Sequence, residues 1–219
     1  MHALPDTRSQ YDRALNAESN GKFAEALELF QLCITLPEYD EGDVLFHCGW
    51  CAEQVDRSDN ERALRYYEHA AFRATAPECK LNSFFRAGWL LMQRKEHAKA
   101  AVHFMNAIDY AELSQQRDEL YHNAMFWHAV CLEPLGRYIE AIEWHRLIRT
   151  LDPRLDPESR VREICCLNQI ASYEEAFSLC ETFDHPPPPA FSATRYLDLR
   201  EVVSRERDIL NRCLSHRSP

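Results

Sequence analysis

Five segments of the chain share one spacing of apolar residues. Each contains an alanine, a larger side chain four positions later, and an apolar residue three positions after that. Positions spaced by four and then three lie on one face of an α-helix. The spacing therefore predicts five helices, each with an alanine near the start of its buried face: Ala26, Ala63, Ala100, Ala141 and Ala176.

Another helix is predicted ahead of each of these five. A second recurring position lies twelve residues before the alanine, or fourteen in the second segment. Its occupants are Ala14, Gly49, Gly88, Ala129 and Ile164, four of them small. Small residues at both positions allow two antiparallel helices to approach closely. The repeating unit is therefore a helix, a short turn and a second helix, with Gly21 and Gly136 in two of the turns.

This unit resembles the tetratricopeptide repeat (TPR) family over about residues 7–184. Beyond the alanines and small residues, the resemblance is carried by turn aromatics and by prolines after the second helices: Phe23, Tyr138, Tyr173, Pro37 and Pro153. The first-helix positions are 35, 39, 41 and 35 residues apart, whereas the family unit has about 34. The resemblance implies an all-α fold, a right-handed superhelical solenoid of five antiparallel helix pairs.

Two further segments complete the predicted organisation. Residues 185–190, "HPPPPA", favour an extended proline-rich connector, although Pro186 and Pro189 also fit a P-x-x-P ligand. Residues 191–219 predict a long amphipathic helix and a tail. Because a solenoid needs a terminal cap with a polar outer face, we expect a repeat array over residues 1–184, then the connector, then a capping helix.

Composition excludes several classes of partner. The chain has 35 acidic and 25 basic residues, a net charge of −10, which repels phosphate backbones, so no nucleic-acid partner is expected. No apolar run approaches the roughly 18 residues that membrane insertion requires. Five glycines leave little room for a nucleotide-binding loop. Nine cysteines without a secretory signal indicate free thiols, and we expect a cytoplasmic protein without a cofactor or metal.

The most suggestive chemical motif is Cys48-Gly49-Trp50-Cys51, with His47 beside it. Such pairs occur in dithiol redox sites and zinc sites. A redox pair usually follows a strand, none is predicted here, and no second C-x-x-C supplies further zinc ligands. Free cysteines also behave as small hydrophobic residues. Packing beside Gly49 is the favoured interpretation, and no other catalytic motif is present, so an enzyme is not expected.

The sequence F-x-x-G-W occurs twice, at Phe46–Trp50 and Phe85–Trp89. Its Phe and Trp share one face of a first helix, and in the family that this chain resembles that face lines a concave groove. We predict a partner-binding strip made of Phe46, Trp50, Phe85, Trp89 and Phe126, with Asn82, Arg86 and Asn123 beside them. The alternatives are coverage by the C-terminal helix, self-association, and burial in the core.

The family's clamp for chaperone C-termini needs basic and amide residues at set positions, of which only Arg86 matches. An apolar ligand is therefore expected. The sequence predicts a non-catalytic scaffold or adaptor that binds an apolar peptide or helix of another protein. A peptide-sensing regulator and a self-associating homodimer are the alternatives. An enzyme, or a zinc or thiol site at Cys48 and Cys51, is the least favoured interpretation.

Overall fold

The computed structural model describes residues 7–56, 60–183 and 192–215, and all regular structure in these ranges is helical. The predicted connector at 185–190 lies outside the described residues. The helices are α1 (Thr7–Ser19), α2 (Phe23–Cys33), α3 (Glu41–Val55), α4 (Glu61–Arg73), α5 (Pro77–Gln93), α6 (His97–Leu113), α7 (Glu119–Leu132), α8 (Tyr138–Leu151), α9 (Asp156–Gln169), α10 (Tyr173–Thr182) and α11 (Ala193–Ser215), with a short 3₁₀ helix at Glu133–Leu135. The predicted all-α fold of successive antiparallel helix pairs is confirmed.

The chain divides into two compact units, Met1–Tyr121 and His122–Pro219. In the first unit, α1 packs on α2, α3 on α4 and α5 on α6, while α2 also packs on α3 and α4 on α5. In the second unit, α8 packs on α9, α9 on α10, and α11 on both α9 and α10.

The turns between paired helices repeat one backbone geometry. A residue with positive φ lies five positions before the shared alanine in each pair where the structure describes that position: Gly21, Lys95, Gly136 and Ala171. The amide of the next residue then closes the helix, as where Lys22 N donates to the carbonyl oxygen of Ala17 at 2.9 Å. This is the Schellman ending of a helix, which glycine adopts at least cost. The sequence prediction found the two glycines and missed the other two residues.

The alanines and glycines fix the distance between paired helices. Ala26, Ala63 and Ala100 are fully buried. A Cβ at Gly49 would lie 2.8 Å from the Tyr67 ring, and one at Gly88 would lie 3.1 Å from the Phe104 ring. In both pairs the aromatic ring of the second helix therefore occupies the space that the glycine leaves open on the first helix.

The start of α3 is tied to the end of α4. The Asp40 carboxylate accepts from the Asp43 amide at 3.0 Å, which caps α3. It also accepts from the amide of Thr75 at 2.9 Å and from the Thr75 hydroxyl. Partial burial acts to raise the pKa of Asp40, but the hydrogen bonds from Thr75 and the cap outweigh it and lower that pKa.

Helix α11 packs on α9 and α10 as the first helix of a further repeat would. Near its start, Arg195 pairs with Glu158 at the start of α9, at 2.8 Å. Further on, Asn168 near the end of α9 donates to Glu206 at 2.8 Å. The two contacts make α11 parallel to α9. Its inner face is buried through Tyr196, Leu199, Val203 and Leu210, while most of its outer residues are charged and exposed, as a cap requires.

Candidate functional site

The predicted strip divides into two kinds of aromatic residue in the first unit. Phe46, Trp50, Phe85 and Trp89 are all half-buried on α3 and α5. The two phenylalanines pack against the second helix of their own pair: Phe46 lies 5.6 Å from Tyr67, and Phe85 lies 5.5 Å edge-on to Phe104, between ring centroids. The two phenylalanines therefore form part of the packing between the helices of each pair.

Trp50 separates two open cavities. The first, which we call the apolar cavity, has a volume of about 650 Å³ and is lined by Leu15, Asn16, Glu18, Ser19, Phe23, His47 and Trp50. The second, the amide cavity, has a volume of about 300 Å³ and is lined by Trp50, Glu53, Gln54, Asn60, Arg86 and Gln93. Cavities of this size are typical of ligand sites. The sequence prediction included Trp50 and Arg86 but missed the other lining residues.

Arg86 is held in place on the amide side of Trp50. Its guanidinium lies 4.4 Å from the centroid of the Trp50 ring, a cation–π contact. It also lies 3.7 Å from the Glu53 carboxylate, which accepts from the Tyr67 hydroxyl at 2.8 Å. Burial, followed by the charge of Glu53, raises the pKa of Tyr67, so the phenol stays protonated and donates. Arg86 therefore has its charge matched and is poorly suited to clamp a carboxylate by itself.

The Glu53–Arg86 pair belongs to a repeated pattern. Glu53 lies four residues after Gly49, the small residue of the second first helix, and Arg86 lies two residues before Gly88, the small residue of the next one. Residues at the same two positions pair in other repeats. The other two pairs of this kind are Glu18–His47, with 2.7 Å between Nδ1 and Oε2, and Glu133–Arg162, with 2.9 Å between Nη1 and Oε2. In the Glu53–Arg86 and Glu133–Arg162 pairs, opposite charges on successive first helices lie side by side. Aligning the repeats for charge, as well as for aromatic residues, would have revealed them.

Phe126 is placed differently from the prediction. Its ring is 2% exposed, lies 5.9 Å from the His145 ring, and has the Arg162 guanidinium 5.6 Å above it. The expectation of an open ring at Phe126 is therefore wrong, because an arginine from the next first helix covers it. Burial lowers the pKa of His145, which lies next to Glu133 at 3.2 Å. This part of the second unit is a packed polar core.

The remaining predicted polar residues are half-buried on their helices. The Asn82 amide donates to the carbonyl oxygen of Glu78 one turn earlier, at 2.9 Å. Asn123 lies on α7 in the second unit and is half-buried. The Asn82 amide is therefore used within its own helix, and neither asparagine lines the two cavities beside Trp50.

Cys48 and Cys51 are fully buried within α3. Burial raises the pKa of each thiol to about 12, so both are protonated and unreactive near neutrality. In the described ranges no group of three or more His, Cys, Asp or Glu side chains is placed to hold a metal ion. This arrangement agrees with the packing interpretation of the C-x-x-C.

We expect the buried pair to resist thiol reagents. When the native protein is treated with N-ethylmaleimide at mildly alkaline pH, Cys48 and Cys51 should remain unmodified, because they are buried and protonated. Cys213, which is partly exposed on α11, should be labelled under the same conditions. Peptide mapping by mass spectrometry measures each site. Labelling of Cys48 as fast as that of Cys213 would contradict the packing interpretation.

In the described part of the chain, no helix is both long enough and apolar enough to cross a bilayer.

Comparisons with known proteins identify the fold. No protein-family model matches the chain, and no curated protein matches it significantly. Among solved structures, YrrB, described as a TPR protein with an unusual peptide-binding site, matches with a TM-score of 0.68 at 14% identity, covering 93% of this chain and 92% of YrrB. A structure of MamA AMB-1 matches with a TM-score of 0.62 at 20% identity, covering 80% of this chain and 88% of MamA. Together with the repeated helix pairs, these likenesses show that the chain has the tetratricopeptide-repeat fold.

Proposed function

We propose that this chain is a non-catalytic protein-interaction module of the cytoplasm, which binds an apolar peptide or helix of another protein on the groove side of its first unit. The observation that carries the proposal is Trp50, which is half-buried and forms a wall of two open cavities. A tryptophan in this setting offers a large, rigid contact area, and such residues dominate the binding energy of many interfaces.

Three further observations support this assignment. The Glu53 carboxylate matches the charge of Arg86 beside Trp50, which favours an apolar ligand over an acidic tail. Trp89 stands at the position equivalent to Trp50 in the next repeat, so a ligand can meet two indoles in succession. YrrB, which has the same fold, is described as carrying a peptide-binding site. The expected contacts are Trp50 and Trp89, with Phe46, Phe85, Arg86 and Asn82 around them.

The experiment pans a phage-displayed library of linear peptides against the protein and titrates the selected peptides by fluorescence anisotropy. We expect Trp50→Ala to weaken binding about tenfold, which is the effect of losing an interface hot spot. Trp89→Ala should weaken it too. Circular dichroism should show unchanged helicity in both variants, because neither side chain is fully buried.

Phe72→Ala is the matched control, since this aromatic residue is 82% exposed on α4, a second helix. It should leave the affinity unchanged. Equal losses in the Phe72 and Trp50 variants, or no loss in the Trp50 variant, would contradict the proposed site.

A further inference from the structure

We infer that the partner carries an arginine or lysine beside its apolar anchor, and that the apolar cavity next to Trp50 takes this basic side chain. The inference rests on the proposed function and adds the chemistry of the ligand to it. It is supported by the apolar residues that line the cavity, by the Glu18 carboxylate among them, and by the net negative charge of the chain.

The walls suit the stem of a long basic side chain. Leu15, Phe23 and Trp50 give the cavity an apolar lining, and its volume of about 650 Å³ exceeds what one side chain fills. The methylene groups of lysine or arginine pack on such surfaces while the charged end reaches a polar partner. Phe23 and Trp50 are also aromatic residues of the kind that attracts a cation to a ring face.

Glu18 supplies the partner for the charged end. One oxygen of its carboxylate is 2.7 Å from His47 Nδ1, and the His47 ring is itself stacked on Phe30 with 4.9 Å between centroids. Among the described residues, the structure gives the other carboxylate oxygen no hydrogen-bond partner. The side chain is 16% exposed, so this oxygen is partly shielded yet open to a ligand. A carboxylate held in this way forms strong hydrogen bonds to a guanidinium or ammonium group.

The sign of the charge decides between basic and acidic ligands. Arg86 lines the amide cavity on one side of Trp50, and the lining of the apolar cavity contains no lysine or arginine. Glu18 is the one acid in that lining. Its charge reaches the neighbouring helix, because burial first and Glu18 second raise the pKa of Cys51. The net charge of −10 also attracts a basic partner over long distances.

The test uses three N-acetylated, C-amidated peptides of the form leucine–X–tryptophan–leucine, with X as arginine, citrulline or glutamate. Citrulline has the shape of arginine without its charge, and the capped ends remove any free carboxylate that Arg86 could bind. Binding is followed by the NMR shift of the Trp50 indole N–H. We expect the arginine peptide to bind about tenfold more tightly than the citrulline peptide, the difference made by one charge-assisted hydrogen bond. The glutamate peptide should bind most weakly.

Glu18→Gln should abolish the preference for arginine over citrulline. Glu28→Gln, which removes an equal charge from an exposed site on α2 outside the cavity, should keep it. A preference that persists in the Glu18 variant, equal binding of arginine and citrulline, or no shift at Trp50 with any peptide would overturn the inference. A dimer in sedimentation velocity that Trp50→Ala dissociates would also overturn it, because a second copy of the chain would then occupy the cavity.

The two proposals fail in different ways. If all three peptides bind equally and Trp50→Ala weakens the binding of each, the inferred preference for a basic side chain is wrong, while the proposed interaction module is supported. If peptides bind with the same affinity in the Trp50→Ala variant, both proposals are wrong.

Discussion

Gly42→Ala is expected to lower the free energy of unfolding by about 3 kcal/mol, because it overpacks a rigid contact. A Cβ at this position would lie 2.1 Å from the backbone nitrogen of Ala74 and 2.2 Å from its Cα. Both atoms belong to the backbone at the end of α4, which Thr75 and Asp40 tie to the start of α3. The clash therefore cannot be relieved by turning a side chain, and α3 must move away from α4.

Gly49→Ala and Gly88→Ala provide a graded comparison in the same unit. The added Cβ would meet the Tyr67 ring at 2.8 Å and the Phe104 ring at 3.1 Å, respectively. A ring can shift by a few tenths of an ångström, so we expect smaller losses, about 1–2 kcal/mol at Gly49 and below about 1 kcal/mol at Gly88. Urea unfolding followed by circular dichroism measures all three variants. A loss at Gly42 no larger than that at Gly88 would contradict the structure of the α3–α4 junction.

Most of the fold could be predicted from the sequence because each repeat carries its own packing signal. The buried alanines, with Gly49 and Gly88, lie at aligned positions and are needed for the same close approach in every pair. Gly42 was missed because its role is not repeated: it lies two turns before Gly49 and meets the end of α4 at Ala74. Lys95 and Ala171 were missed because the turn forces positive φ on residues that rarely adopt it.

The candidate site was only partly predictable, because side chains from neighbouring repeats decide which rings stay open. Trp50 and Phe126 both lie under an arginine of the next first helix, Arg86 and Arg162. Trp50 keeps an open cavity on its other side, whereas Phe126 is closed in by His145. Such differences arise from contacts between residues far apart in the chain, which helical spacing within one repeat does not describe.

The acid–base pairs show what a fuller sequence comparison could have added. Each pair joins fixed positions in successive first helices, so Glu18–His47 and Glu53–Arg86 follow from one alignment. The consequence for function is that charge is matched where Arg86 lies and is left unmatched at one Glu18 oxygen. The proposed interaction site therefore includes one local negative charge at Glu18, which the aromatic pattern alone does not indicate.

In the second unit, Glu163→Gln is expected to cost about 2–3 kcal/mol of stability, because it breaks a buried ionic contact between α8 and α9. Glu163 is 2% exposed, and its two carboxylate oxygens accept from Arg146 at 2.6 Å and from Arg149 at 2.5 Å. A neutral amide keeps the shape but loses the charge that both guanidinium groups require. Arg146 is 46% exposed and can turn to water, which keeps the loss below the upper range for buried pairs.

Glu175→Gln is a control that uses the same arginine. Glu175 accepts from Arg146 at 2.5 Å but is 51% exposed, and exposed pairs of this kind contribute below about 1 kcal/mol. Hydrogen exchange detected by mass spectrometry measures the stability of the two units separately. We expect faster exchange in α8 and α9 in the Glu163 variant but not in the Glu175 variant. Equal exchange in the two variants would mean that burial does not strengthen this contact, and that apolar packing alone holds α8 against α9.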